Sequence, residues 1–238
     1  MRDVLNYLDE RREEFASHLT VARMLEARVD EGTNENDLRV EVRHINTIKS
    51  GLLVHLYNIV EAVTTRTLET VGRTVVTKRP ALWTEAVLKE WVRAAVWSGE
   101  EKIGEGAFKR LAGVSRVLVS GNAPEEFIVK GEPGSWNDEA IKKVANRLGC
   151  QLRFSPEISR AAFERKYRDE TTAMQFLADR RNAIAHGSTT FEEGARSMTL
   201  DNLEELAGRV LPFLKAVTEC YKAYLDTEAY LQTEEAAA

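Results

Sequence analysis

Over most of this chain, apolar residues recur every three or four positions, the period of an α-helix. Val4, Leu8, Phe15, Leu19 and Leu25 mark a first helix over residues 1–30. Glu31-Gly32-Thr33-Asn34-Glu35-Asn36-Asp37 is a polar break made of helix-stopping and helix-starting residues. A second pattern runs from Leu38 to Val71, with Ile45, Ile48, Leu52, Leu56, Ile59 and Val63 on its main stripe. Leu53, Val54 and Tyr57 add another apolar side, which predicts a central, buried helix. Asn58, Glu61 and Thr65 form a polar strip along it.

Pro80 opens a third helix over 81–98, carrying Trp83, Val87, Trp91 and Val92. Residues 99–135 break the pattern with seven Gly, two Pro and the β-like runs Arg116–Val119 and Phe127–Lys130. They predict a loop-rich insertion with a small hairpin. Asn137 caps a short helix that ends at Leu148-Gly149, and another short helix covers 156–166. A helix over 168–186 stops at Gly187, and 188–198 is a loop. Asp201-Asn202-Leu203-Glu204 has the form of a capping box for a last helix reaching Tyr230. The sum is an all-α bundle with one insertion, a single domain over 1–238.

Of 238 residues, 43% are apolar and 30% charged, an ordinary globular composition. Lys and Arg number 33 against 38 Asp and Glu, so the net charge is −5. A generally basic nucleic-acid coat protein is excluded, although a small basic site on an acidic body is not. No apolar run approaches the roughly 18 residues of a membrane span, and the N-terminus lacks a signal-peptide core. Cys150 and Cys220 form no CxxC pair. These features predict a reduced, cytoplasmic protein with no membrane contact, no metal site and no cofactor. His44 and His55 would stand about 16 Å apart on one helix, and their sequence neighbours supply no third metal donor.

The chemistry-bearing stretch is Ala178-Asp179-Arg180-Arg181-Asn182-Ala183-Ile184-Ala185-His186-Gly187. On a helix, Met174, Leu177, Ala178 and Ala185 share a stripe that contains Arg181. A guanidinium there needs an anion. It either meets a carboxylate of this chain, such as Glu61 or Asp179, or it serves an anionic ligand. Asn182 and His186 are four apart and stack at the stripe's edge. His186, just before Gly187, either caps the helix or transfers protons, since a helix C-terminus favours a cationic imidazole. Arg holds phosphate in a bidentate way, His moves protons, and an amide orients an oxygen. Together they suit metal-independent RNA cleavage, in which the 2′-hydroxyl attacks the adjacent phosphorus. One helix supplies one His, and a symmetric dimer would supply the second.

Arg181-Asn182-Ala183-Ile184-Ala185-His186 resembles the Arg-x4–6-His motif of HEPN ribonucleases. Leu56-Tyr57-Asn58-Ile59-Val60-Glu61 resembles the first signature of the large MAE-type HEPN family. Arg180 to Gly187, followed by Phe191 and Glu193, resembles its second signature. Ser120-Gly121-Asn122 and the helix ending in Leu148-Gly149 fit as well, and order and spacing agree over about residues 40–230. One departure is Glu193-Gly194-Ala195-Arg196, where the family pattern has Gly directly before Arg.

The resemblance implies a HEPN-like helical bundle, a homodimer with the site at its interface, and RNA cleavage without metal. It further implies a toxin or anti-phage effector restrained by a partner protein. Carried over by position, Arg181 and His186 are catalytic, Asn182 assists, and Asn58 and Glu61 support them. Arg180, Lys142, Lys143 and Arg147 are candidate RNA-binding cations, and Trp136 is a candidate base-stacking residue. The competing readings are a non-catalytic RNA- or nucleotide-binding module and a helical interaction protein in which Arg181 is purely structural.

Overall fold

The computed structural model describes residues 1–30, 40–96, 104–131 and 136–232. Among them the chain forms eight α-helices and no strand: α1 (Arg2–Asp30), α2 (Val42–Val75), α3 (Glu85–Val96), α4 (Glu105–Ser120), α5 (Asp138–Arg147), α6 (Pro156–Phe163), α7 (Ala173–Ala185) and α8 (Leu200–Asp226). Short 3-10 turns cover Pro80–Leu82 and Arg168–Glu170. The architecture is the all-α bundle that the periodicity predicts. The polar break at Glu31–Asp37 lies outside the described residues.

α2 is the central helix, and α1, α7 and α8 all pack against it. It buries Leu52, Leu53, Leu56, Ile59, Val60, Val63 and Val71, its two apolar sides meeting different neighbours. α8 answers with Leu203, Leu206, Val210, Phe213, Leu214, Val217 and Tyr221. Burying each large apolar side chain contributes about 1.5–3 kcal/mol, so these faces dominate the stability of the core. None of the helices among the described residues is long and apolar enough to cross a membrane.

Caps set the helix ends. Asn137 accepts a hydrogen bond from Ala140 N at 2.8 Å, as its position before α5 predicts. α8 starts two residues earlier than the Asp201 reading: Thr199 is the cap, and Thr199 and Asn202 bond reciprocally. α7 is also shorter than the predicted 168–186. Asp169 and Glu170 adopt positive φ, and Thr172 caps a fresh start.

The insertion departs from expectation. Arg116–Val119 lies inside α4, and Phe127–Lys130 is irregular, so the described part of 99–135 holds no hairpin. Ala107 and Val114 lie seven apart and are both buried, while Val117 packs on the core behind them. That helical spacing outweighs the β preference of the Val-rich run, because β-propensity largely reflects packing context. Gly121, at φ 68°, then ends α4 as a left-handed cap. Phe127 packs on Trp83 with ring centroids 5.7 Å apart. Its carbonyl approaches α2 so closely that a Cβ at Gly72 would sit 2.1 Å from the oxygen.

Candidate active site

α7 runs along α2 with Met174, Leu177 and Ala178 buried. Arg181 continues that stripe to where the helix leaves the core. Its side chain is 27% exposed, and Nη2 lies 3.2 Å from Oε2 of Glu61, itself 49% exposed. Glu61, not Asp179, is therefore the carboxylate it meets; Asp179 accepts from Gln175 Nε2 at 2.7 Å. Nη1 of Arg181 donates to Asn182 Oδ1 at 3.2 Å. The guanidinium carbon stands 4.5 Å from the centroid of the Tyr57 ring.

Tyr57, part of the second apolar side of α2 and of the first signature, has no predicted role in the site. It is 1% exposed, and its hydroxyl accepts from Trp136 N at 2.8 Å. The ring is thus a fixed floor beneath the guanidinium. Its signal was its place between Leu56 and Asn58 in the first signature. Asn58 and Glu61 lie about one turn apart on the exposed strip of α2, so Glu61 faces Arg181 from the surface.

His186 is the C-cap of α7 and is exposed. Its backbone N donates to Asn182 O at 2.9 Å, and Gly187, at φ 70°, ends the helix as predicted. Ala185, expected on the buried stripe, is exposed because the last turn runs past the core. Thr189 N and Ser188 Oγ both bond Ala183 O, at 3.1 and 3.0 Å, and fold the chain back.

The loop that follows is anchored to α2. Ala195 N donates to Ser50 Oγ at 2.9 Å, and the buried Lys49 donates Nζ to Met198 O at 2.8 Å. A Cβ at Gly194 would lie 2.5 Å from Ile184 Cδ1 and 2.9 Å from Ser50 Oγ. The close approach of loop and α7 accounts for a glycine at 194 in this chain, one position earlier than the family pattern.

The basic candidates divide. Arg180 is partly buried, with its guanidinium carbon 5.3 Å from the Phe176 centroid and Nη1 3.5 Å from Gly194 O. Lys142 lies 3.4 Å above the Phe163 ring and 3.6 Å from Asp138, and Lys143 is exposed. α5 abuts the start of α7, where Asn137 Nδ2 donates to Gln175 Oε1 at 2.6 Å. Gln175 lies about 9 Å of helix before Arg181, and Lys142 turns to Phe163 and Asp138 and not to that cluster.

Arg147 is a correction. Its side chain is 9% exposed and pairs at 2.9 Å with Glu90, which is 1% exposed. It also donates to the Lys130 carbonyl. It therefore neutralises a buried carboxylate and offers no outward phosphate contact. Trp136, proposed as a stacking platform, is half-buried against the core beside Tyr57. His44 has a structural role: Nδ1 accepts from Glu41 N at 3.1 Å at the start of α2.

The grooves lined by Gly72 and Phe127, by Phe154 and Cys220, and by Trp91 and Arg110 include neither Arg181 nor His186. The cluster is an open surface. Its guanidinium is held by a half-exposed carboxylate that an incoming phosphate could replace, with an imidazole a turn and a half further along the same helix. A protein-family model described as HEPN_MAE_28990:/-like HEPN matches residues 2–230. No curated protein and no solved structure shows significant similarity to the chain.

Proposed function

The chain belongs to this HEPN family, and on that premise we propose that it is a metal-independent endoribonuclease whose site is completed by a second copy of the chain. The family is one of nuclease and RNA-related roles. The observation that carries the finer reading is the openness of Arg181: its anionic partner is surface-lying, and His186 stands exposed on the same helix end. Arg147, by contrast, meets the buried carboxylate of Glu90.

In the proposed reaction the 2′-oxygen of the substrate bonds to the adjacent phosphorus and the 5′-oxygen leaves. The products are a 2′,3′-cyclic phosphate and a 5′-hydroxyl. Arg181 exchanges Glu61 for the non-bridging oxygens and offsets their growing charge. One His186 takes the 2′-hydroxyl proton, and its two-fold mate protonates the leaving oxygen. Asn182 holds the guanidinium in position. Arg180, Lys142 and Lys143 are proposed to contact flanking phosphates, and the whole chain is proposed to act as one domain. A cleavage activity of this kind fits a toxin or anti-phage effector restrained by a partner protein.

The test is wild type beside His186→Ala on total cellular RNA, with the fold of both checked by circular dichroism. Wild type should cleave in the presence of chelator and leave 2′,3′-cyclic or 3′-phosphate ends, and the variant should leave RNA intact. Equal cleavage by the variant would sink the proposal. Tight RNA binding without turnover by wild type would instead identify a non-catalytic module. Growth arrest on expression, relieved by His186→Ala, would support the effector role.

A further inference from the structure

Away from the Arg181 cluster, α1 and α2 bring together three side chains with metal-ligand chemistry. Glu14 and His18 are four residues apart on α1 and so share a face. His55 of α2 faces them, and the donor atoms of the three lie within 4.8 Å of one another. His18 Nδ1 and His55 Nδ1 are 3.4 Å apart. Two ligands on a tetrahedral zinc ion, with bonds of about 2.05 Å, are separated by about 3.3–3.4 Å. Glu14 Oε2 is 3.7 Å from His55 Nε2, the ring nitrogen other than the one that faces His18, and 2.6 Å from Arg11 Nη1; a single ion takes one of the two ring nitrogens, and one donor atom from each residue lies within the 4.8 Å span. Glu14 Oε2 is buried and makes no hydrogen bond, so beside its ion pair with Arg11 it keeps lone pairs for an ion. Phe15 walls one side, its ring centroid 5.9 Å from that of His55.

We propose that Glu14, His18 and His55 form a site for a zinc-type divalent transition ion that clips α1 to α2, with water completing the coordination. Two imidazoles and one carboxylate are borderline donors suited to Zn2+ or Co2+. Mg2+ and Ca2+ prefer all-oxygen sites. The ion serves packing, not cleavage. His55 precedes Glu61 by six residues, which is about 9 Å along α2 and about 120° around it. Glu14 and His18 lie on α1 and not among the sequence neighbours of His55, so the sequence gives no sign of a third donor.

The test uses the full chain, stripped with chelator and titrated with Co2+ and then Zn2+. One Co2+ should bind with the visible absorption bands of a low-coordinate site, and Zn2+ should displace it. Zn2+ at a hundredfold excess over its Kd should raise Tm by about 5–10 °C. His18→Ala, at an exposed position, and Glu14→Gln should each weaken binding by at least about tenfold. RNA cleavage well below Tm should be the same with and without the ion, so this proposal and the nuclease proposal can fail separately. Absence of both the Co2+ spectrum and the Tm shift in wild type would overturn the site. So would His18→Ala binding the ion as tightly as wild type.

Discussion

Arg181 and Arg147 carry the same side chain in opposite surroundings, and replacing each with Met should have opposite consequences. Arg147→Met removes the 2.9 Å ion pair of Glu90, which is 1% exposed, while Arg93 Nε, half-exposed, stays at 3.2 Å from it. Breaking a buried pair in this way costs about 3–5 kcal/mol, and Arg93 should hold the loss near the lower figure. At about 2–4 °C per kcal/mol for a chain of this size, Tm should fall by roughly 6–12 °C. Arg181→Met removes a half-exposed pair worth about 0–1 kcal/mol and a cation–π contact worth about 0.5–1 kcal/mol at a site open to water. Its Tm should fall by only a few degrees. RNA cleavage should run the other way. Arg181→Met loses the charge that meets the phosphorane and should slow cleavage by about 100-fold or more. Arg147→Met, assayed below its own Tm, should keep a near wild-type rate. Urea titration and calorimetry read the stabilities, and a labelled RNA reads the rates. Glu90→Leu added to Arg147→Met should restore much of the lost stability, because it removes the buried charge. If Arg181→Met unfolds as readily as Arg147→Met, Arg181 is structural and the nuclease assignment loses its support.

Other perturbations test how the site is held. Gly72→Ala would drive a Cβ to 2.1 Å from Phe127 O, a backbone atom that cannot swing away. A loss of about 1–3 kcal/mol in urea titration and faster proteolysis between α4 and α5 should follow, whereas wild-type stability would show that this approach is looser than described. Gly194→Ala would bring its Cβ to 2.7 Å from Ile184 Cγ1 and 2.9 Å from the buried Ser50 Oγ, so it should cost about 1–3 kcal/mol and slow cleavage, and Ile184→Ala should restore part of both. Burial pushes the Cys150 thiol up to about 12, so in native protein at pH 8 it should resist alkylation until the chain unfolds, as peptide mapping would show. Because the unfolded thiol ionises near pH 8.5, its contribution to stability is full below that pH and declines as pH rises toward 12.

Much of the architecture was legible in the order of residues alone. The long helices α1, α2 and α8 follow from apolar spacing, and the Asn137 cap and the Gly187 stop follow from chemistry within four residues of each helix end. The same local logic put Arg181, Asn182 and His186 at one helix terminus. What escaped it depends on neighbours distant in sequence. The Val-rich end of α4 reads as strand until the core that buries Val114 is in place. Arg147 reads as a surface cation until α3 brings Glu90 to it, 57 residues away. The floor of Tyr57 and the partner Glu61 reach Arg181 across α2, Glu61 from 120 residues away. His18 and His55 meet from 37 residues apart. Periodicity reports which face of a helix is apolar. Which charge faces which carboxylate, and which imidazoles meet, is set by how whole helices dock, because burial energy is summed over entire faces and carries the polar side chains along with them.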